Sequence, residues 1–329
     1  MATTTQVQSV PVFKKPSLWR RIRRYRMAYA FIAPAGIAML FIHIIPTVQA
    51  FYMSLLDLNV RTLLQFLNAP YIGFAHYQKI LGGLVGSTDA NIKGLYQALE
   101  NSFFFTFWLL LGTMGIGLIM ALLLNRKFTG RGIARTLVLL PWVVPTFVVG
   151  IIWQFIWLQR GGLMNRFLLG VGLIENPISW LIGPNARVAL IIAAIWSGLP
   201  FNIVMFLSSL QVIPQDIYEA AQMDGANAWQ RFRFITLQYL KPIMVITAMF
   251  GIIFNFFGFG PYNIATSMFN TSLDLGRYVN LLQIVIVRQT FNNQLYGYGA
   301  AASILMMIIA VAAVGIFYRL FRSSMINEA

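Results

Sequence analysis

Residues 212–237 read VIPQDIYEAAQMDGANAWQRFRFITL, a polar stretch between two long apolar runs. Pro214 and Asp216 are typical of a helix start, because proline tolerates the first turn and a carboxylate suits the positive end of a helix. Gly225 indicates the end of that helix, since glycine readily adopts the left-handed conformation that closes helices. A second amphipathic run begins near Asn227 and leads to Pro242. The loop 212–242 is therefore predicted to hold a short helix, a glycine turn and a second helix.

Long apolar segments surround this loop on both sides. Of the 329 residues, 58% are hydrophobic and only 10% are charged, whereas about a quarter of the residues of a soluble domain are charged. A membrane span needs about 20 apolar residues. Six segments qualify, and none has Asp, Glu, Lys or Arg in its interior: 27–55, 101–124, 136–158, 188–210, 243–266 and 297–318. The segments 163–174 and 278–287 are shorter and are predicted to be outer, interfacial or packed helices.

These segments predict an all-α polytopic membrane protein with six transmembrane helices. We expect a basic cytoplasmic N-terminal tail at 1–26, one membrane domain at 27–320 and a cytoplasmic C-terminal tail at 321–329. The net charge of +15 could indicate nucleic-acid binding, but the basic residues crowd just before the first apolar run. Such crowding is typical of the cytoplasmic side of a membrane helix, so no nucleic-acid partner is expected. The absence of cysteine excludes disulfides and thiolate metal sites.

A longer pattern runs through the loop: Glu219, Ala220 and Ala221, then three residues and Gly225, then nine residues, Ile235, one residue and Leu237. This pattern resembles the EAA signature of binding-protein-dependent ABC transporter permeases. Three further stretches extend the resemblance to the maltose-type (MalF-like) carbohydrate-uptake permeases: NRKFTGRG at 125–132, LPWVVP at 140–145 and LQVIP at 210–214. The chain departs from the family at Gln238, where a proline is usual and Pro242 could supply the break instead. It also departs near Asn270–Leu275, where a glycine-glycine-proline stretch is missing.

The resemblance implies an ABC type I importer permease fold with a cytoplasmic coupling helix. It also implies a bacterial or archaeal inner-membrane (plasma membrane) protein that translocates a sugar delivered by an extracytoplasmic solute-binding protein, by alternating access. The implied partners are a second homologous permease subunit in a heterodimer, two ATPase subunits and membrane lipid. ATP and magnesium would bind the ATPase partner, and this chain would hold no cofactor or metal and would not be an enzyme. No phosphate-cradling GxxxxGK[ST] loop occurs in the sequence. The implied ATPase-coupling residues are Glu219 as a polar anchor, Ala220 and Ala221 as packing contacts, Asp224, and Gly225 as the turn.

A sugar site requires amides, hydroxyls and aromatic faces, and no fixed charge. In the fifth span Gly251, Phe254, Asn255 and Gly258 have helical spacing and would share one face. In the fourth span Gly198 and Pro200 predict a kink. Small residues can instead serve close helix packing, and an asparagine can bond a neighbouring helix. The resemblance favours a site, with the following predicted substrate contacts: Asn255 as the hydrogen-bonding group, Phe254 and Phe201 as stacking faces, and Ser197, Gly198, Asn202, Gly251 and Gly258. Trp153, Gln154 and Trp157 of the third span would extend the path outward.

Other function classes stay open on the sequence alone. A stand-alone secondary carrier usually has ionisable groups at mid-depth; here a span contains only His43, which we interpret as a packed or hydrogen-bonded helix residue. A membrane-embedded enzyme would need a catalytic cluster, and the nine acidic residues form none in the sequence. Within an ABC importer, the solute could also be a polyol or glycerol phosphate, although a phosphate would favour an arginine near the pathway.

Overall fold

The computed structural model describes residues 23–83, 89–269 and 276–321, without the side chains of residues 65–67. Residues 1–22 and 322–329 of the predicted tails lie outside the described residues, as does the departure at Asn270–Leu275. By its internal contacts the chain divides into residues 1–52 and residues 53–329, which are described in turn.

The first unit contains helix α1, Arg26–Met53, which is apolar and 28 residues long. A wide π-helical turn at Leu40–Ile44 interrupts its regular hydrogen bonding. His43 lies in that turn, and its carbonyl accepts a hydrogen bond of 2.6 Å from Thr47 Oγ1. The first predicted span is therefore one long helix that includes the histidine.

The second unit is a bundle of helices with one isolated β-bridge between Leu56 and Tyr71 among its described residues. Its helices are α2 (Ala75–Gly82), α3 (Ala90–Asn125), α4 (Arg131–Val143), α5 (Thr146–Trp157), α6 (Leu163–Gly170), α7 (Asn185–Val212), α8 (Gln215–Met223), α9 (Ala228–Phe257), α10 (Phe259–Met268), α11 (Leu282–Val287) and α12 (Tyr296–Phe321). The described residues contain five helices long and apolar enough to cross a membrane: α1, α3, α7, α9 and α12. The pair α4 and α5 would make a sixth span. The predicted all-α class is confirmed.

The third predicted span, 136–158, is not one straight helix. It consists of α4 and α5, which are bent by 101° at a short break. Val144 in the break is extended, with φ −76° and ψ 123°. The cause lies in Pro145, because proline has no N–H to continue a helix and disfavours helical backbone in the residue before it.

The fifth predicted span, 243–266, also has different limits. Helix α9 begins at Ala228, runs through Pro242 and ends at Phe257. Pro242 therefore does not supply a break. The break lies at Gly258, which is extended with φ −71° and ψ 140°, and α10 follows at once. Pro261 suits the first turn of α10, where a missing N–H costs no helical hydrogen bond.

The two broken spans pack closely against each other. A Cβ atom added to Gly150 of α5 would lie 1.9 Å from Ser267 Oγ and 2.5 Å from the Ile264 carbonyl of α10. Asn263 Nδ2 of α10 also donates a 3.1 Å hydrogen bond to Thr146 Oγ1 of α5. Glycine at position 150 thus allows α5 and α10 to form one tightly joined pair.

The segment before α11 is fastened to α3 and α7 by polar contacts. Asn101 Nδ2 donates to the carbonyls of Arg277 and Asn280, each at 2.9 Å. The guanidinium of Arg187 donates to Asn101 Oδ1 at 2.5 Å and to the Tyr278 carbonyl at 3.1 Å. Helix α11 itself is short and buried, with Val285 fully enclosed. Of the outer, interfacial or packed helix predicted at 278–287, the structure shows a packed helix over Leu282–Val287 only.

Candidate solute cavity and coupling loop

A cavity of about 400 Å³ lies where the two breaks meet α3 and α7. Its volume falls within the range of roughly 300–1,000 Å³ that is usual for small-molecule sites. The lining residues are Leu109, Leu110, Thr113, Trp142, Thr146, Ala194, Ser197, Gly198, Phe201, Asn202, Thr247, Gly251, Phe254, Asn255, Gly260, Pro261 and Ile264.

Most of the predicted solute contacts meet in this cavity. Its lining includes Ser197, Gly198, Phe201 and Asn202 from α7, and Gly251, Phe254 and Asn255 from α9. Gly258 is not among them, and its predicted contact with the solute stays a prediction. It is the C-cap of α9: its N–H still bonds the Phe254 carbonyl, and its ψ of 140° ends the helix there. Gly260 and Pro261 of α10 line the cavity in its place.

The cavity offers polar groups without charge. None of the described residues that line it is acidic, basic or a histidine. The side chain of Asn202 is only 8% exposed, and its Oδ1 has no hydrogen-bond partner in the described part of the chain. A buried amide oxygen without a partner is costly, and no solute contact is assigned to this atom because it has almost no accessible surface. Asn255 and Ser197 add further polar groups to the same wall.

Aromatic faces complete the lining. Phe254 is 59% exposed and stacks on Phe250 with ring centroids 6.1 Å apart. Phe201 meets the indole of Trp142 edge to face at 6.4 Å. Aromatic faces beside amides and hydroxyls can bind the apolar face and the hydroxyl edge of a neutral polyhydroxylated molecule.

Sequence reasoning missed Trp142 and Thr146, which stand on the two sides of the break between α4 and α5. Both residues line the cavity next to the bend of 101° between α4 and α5. The signal was present in the sequence, because Pro141 and Pro145 lie four residues apart in LPWVVP.

None of Trp153, Gln154 and Trp157 lines the cavity, and their predicted place along an outward path stays a prediction. Trp157 is 1% exposed and belongs to the hydrophobic core. Its ring stacks on Trp153 at 5.5 Å and contacts Trp180 at 5.0 Å. The bend turns the tryptophan face of α5 into this aromatic core, away from the cavity.

The loop 212–242, named here the coupling loop, has the predicted helix, turn and second helix. Helix α8 ends in a Schellman turn: Ala226 N–H donates to the Ala221 carbonyl at 2.9 Å, and Gly225 N–H donates to the Gln222 carbonyl at 3.1 Å. Gly225 has φ +81°, the left-handed conformation that the sequence predicted. The next helix, α9, begins at Ala228, and its N-cap Asn227 forms a reciprocal capping box with Gln230.

Contacts to α9 fix the orientation of α8. The Tyr218 hydroxyl lies 2.8 Å from Thr236 Oγ1, and Arg231 donates to Gln222 Oε1 at 2.9 Å. Glu219 is exposed and receives a 2.8 Å hydrogen bond from Gln215 of its own helix. Ala220 and Asp224 are also exposed, and Ala221 is half-buried. The structure thus leaves the predicted coupling residues accessible on a helix that is bonded to α9.

Comparison with known proteins shows to which family this architecture belongs. The model of a family described as binding-protein-dependent transport system inner membrane component matches residues 113–327. The chain is 31% identical over 314 residues to the trehalose/maltose transport system permease protein MalF of Thermococcus litoralis, covering 92% of this chain and 96% of that protein. It is 30% identical over 314 residues to the arabinooligosaccharides transport system permease protein AraP of Bacillus subtilis, covering 93% and 92%.

A solved structure has the same fold. A chain of a bacterial ABC transporter involved in the import of the acidic polysaccharide alginate matches with a TM-score of 0.74 at 21% identity, covering 93% of this chain and 98% of that chain. The chain therefore belongs to the family of inner membrane components of binding-protein-dependent transport systems, the permease subunits of ABC importers.

Proposed function

We propose that this chain carries a mono- or oligosaccharide across the membrane through the cavity at its two broken spans. The observation that carries the proposal is the cavity wall, which combines Asn202, Asn255 and Ser197 with the aromatic faces of Phe254 and Phe201 and has no charged lining residue. Relatives whose names specify trehalose, maltose and arabinooligosaccharides support a sugar as the solute. The uncharged lining counts against a glycerol phosphate, because a phosphate is usually met by arginine or lysine.

We infer that the energy comes from a separate ATPase that binds α8. Two such subunits would hold ATP and magnesium, and a second homologous permease would complete the membrane heterodimer. The exposed Glu219 would be the polar anchor, and Ala220 and Ala221 would pack in a cleft of the ATPase. The fixed orientation of α8 on α9 supports this role, since a helix that is bonded to its neighbour transmits a displacement. This arrangement puts both chain termini and the coupling loop on the cytoplasmic side.

Alternating access would follow from the way the cavity wall is divided. Gly251, Phe254 and Asn255 belong to α9, which begins in the coupling loop. Thr146, Gly260 and Ile264 belong to the joined pair α5 and α10. A movement of α9 against that pair would open the cavity toward one side and close it toward the other. An extracytoplasmic binding protein would deliver the sugar while the cavity faces outward.

The proposal is tested by transport in proteoliposomes. The chain is reconstituted with its partner permease and ATPase, and uptake of radiolabelled maltose, trehalose, arabino-oligosaccharides and glycerol 3-phosphate is measured with the binding protein outside and ATP inside. We expect ATP-dependent uptake of at least one of the sugars and none of glycerol 3-phosphate. Uptake by this chain alone, driven by an ion gradient, would support a secondary carrier and would refute the proposal.

A further inference from the structure

The break between α9 and α10 leaves backbone groups without helical partners. The last four carbonyls of a helix and its first four N–H groups have no partner within the helix. At this break Gly258 N–H donates to the Phe254 carbonyl at 2.8 Å. The carbonyls of Asn255 and Phe256 and the N–H of Tyr262 need partners from elsewhere. Inside a membrane protein such groups must be satisfied by protein, because lipid offers no hydrogen bonds.

One side chain from another helix satisfies all three groups. The amide of Gln283, on α11, reaches the break with Nε2 2.9 Å from the Phe256 carbonyl and 3.2 Å from the Asn255 carbonyl. Its Oε1 accepts from Tyr262 N–H at 3.3 Å. The surrounding groups assign this orientation of the amide, since the opposite one would direct the oxygen at two carbonyls. A single amide therefore bridges the end of α9 and the first turn of α10.

Gln283 is itself held firmly. The preceding residue, Leu282, donates its N–H to Ser102 Oγ of α3 at 2.8 Å in a buried contact. Gln283 is 9% exposed, and the ring of Phe256 beside it packs edge to face on Phe103 of α3 at 5.2 Å. The amide is thus a fixed point on α11 and α3, and both ends of the broken span bind to it.

We propose that Gln283 is the positioning residue of the solute cavity, and that its amide sets the break in the fifth span so that Phe254 and Asn255 face the cavity. The Asn255 carbonyl binds Gln283 while the residue as a whole lines the cavity, so the backbone orientation at this position depends on the amide. The role in transport rests on the proposed function, because it assumes that the cavity holds the solute. The role at the break rests on the geometry alone.

Two variants remove the bridge in different ways. Gln283→Met keeps the length of the side chain and loses every hydrogen bond to the break. Gln283→Glu keeps an acceptor for Tyr262 N–H, and since burial beside two carbonyls favours the protonated carboxyl, it can donate to at most one of them. The second variant carries the test if the first fails to fold.

Gln289→Met is the matched control. Gln289 follows α11, is 3% exposed, and bonds Asn91 Oδ1 and Asn293 Nδ2 at 2.9 and 2.8 Å, away from the break. The control therefore removes an equally buried amide from the same part of the chain and leaves the bridge intact.

The position of the break is measured by distances between spin labels. The chain has no cysteine, so Ile246→Cys on α9 and Phe155→Cys on α5 give a specific label pair, and both side chains are exposed. The label on α5 reports on α10, because the two helices are joined. In the full-length chain, electron–electron double resonance should give a clearly broader or shifted distance distribution for Gln283→Met and Gln283→Glu than for the wild type. Gln289→Met should match the wild type.

Uptake by the reconstituted complex is the second readout, with radiolabelled maltose, trehalose and arabino-oligosaccharides as probes. We expect the two Gln283 variants to lose about tenfold in uptake, the loss typical of unpaired buried polar groups. An unchanged distance distribution in both Gln283 variants, or the same broadening in Gln289→Met, would overturn the proposal. A changed distribution with wild-type uptake would support the role at the break and would count against the proposed solute contacts instead.

Discussion

Replacing Gly225 with alanine should weaken the binding of the ATPase subunit without disturbing any packing contact. Gly225 closes α8 with φ +81°, and a Cβ atom at this position would meet no other atom within 4 Å. The substitution therefore adds backbone strain alone. An L-residue in the left-handed conformation costs roughly 1–2 kcal/mol.

The turn that must absorb this cost is held by two backbone hydrogen bonds, of 2.9 and 3.1 Å. Each contributes about 0.5–1.5 kcal/mol net. The strain thus removes most of the stability of the turn, and a share of the molecules would have α8 frayed at its end. Since apparent affinity falls with the fraction of molecules competent to bind, we expect a dissociation constant about twofold to tenfold higher. Gly225→Asn should stay near the wild type because asparagine tolerates this conformation. Gly225→Pro should lose more affinity for the ATPase subunit, because it also removes the N–H bonded to Gln222.

The assay is titration of the reconstituted permease with its ATPase subunit, followed by microscale thermophoresis. Gly130→Ala is the matched control, since Gly130 has φ +86° and its Cβ position is equally free, in a different loop. Equal affinities of Gly225→Ala, Gly225→Asn and the wild type would refute a role of the turn in ATPase binding. An equal loss of affinity in Gly130→Ala and Gly225→Ala would refute it as well.

Three further predictions test the cavity and the stability of the bundle. Asn255→Ala should cut uptake at least tenfold while the complex still assembles, as checked by size-exclusion chromatography; wild-type uptake would remove Asn255 from the site. Arg187→Met should lower the thermal midpoint by several degrees, because charge-assisted hydrogen bonds of about 1.5–3 kcal/mol are lost, and an unchanged midpoint would show that the segment 276–281 does not depend on them. Acidification should destabilise the chain: burial lowers the pKa of His76 below 6.5, and the hydrogen bond from Lys79 lowers the pKa of Asp89 below 3.8.

The sign of the acid effect follows from proton binding. In both groups the folded state binds protons less readily than the unfolded state, so stability is present above the ordinary pKa and is lost as the pH falls. His76 is the first of the two groups to bind a proton on acidification. The midpoint of thermal unfolding should therefore differ less between about pH 7.5 and about pH 5.5 in His76→Gln than in the wild type. An equal difference in the variant would assign the effect to other groups.

The positions of the long helices could be predicted because a span is a local property of apolar length. The structure of the coupling loop could be predicted equally well, since Pro214, Gly225 and Asn227 each act on the backbone within a few residues of their own position. The limits of the fifth span could not be predicted from the sequence, because α9 continues through Pro242 and stops at Gly258. Proline and glycine both permit a break, and the surrounding protein decides which one is used.

Some residues of the candidate site could likewise be predicted from the sequence, and others could not. Residues on one face of a single helix, such as Phe254 and Asn255, could be grouped from their spacing. Trp142 enters the wall only through a bend of 101°, whose angle depends on packing between distant segments. The contact of Gln283 with the break joins residues from three helices, α9, α10 and α11, and depends on the depth at which α11 is buried. Helical periodicity carries no information on such contacts.

The length of α9, which runs from Ala228 to Phe257 with a π-helical turn at Phe232–Thr236, has a geometric consequence for transport. Asn255 stands about 40 Å along the helix axis from Ala228, at 1.5 Å per residue. A tilt of about 5° at the coupling loop would displace Asn255 by about 3.5 Å if the helix stays straight, and it would also break the hydrogen bond between the Asn255 carbonyl and Gln283. This displacement exceeds the length of a hydrogen bond and would break the contact with a bound sugar. The length of α9 thus sets how far its solute contacts move. A rotation of only a few degrees at the coupling loop would suffice to release a bound sugar.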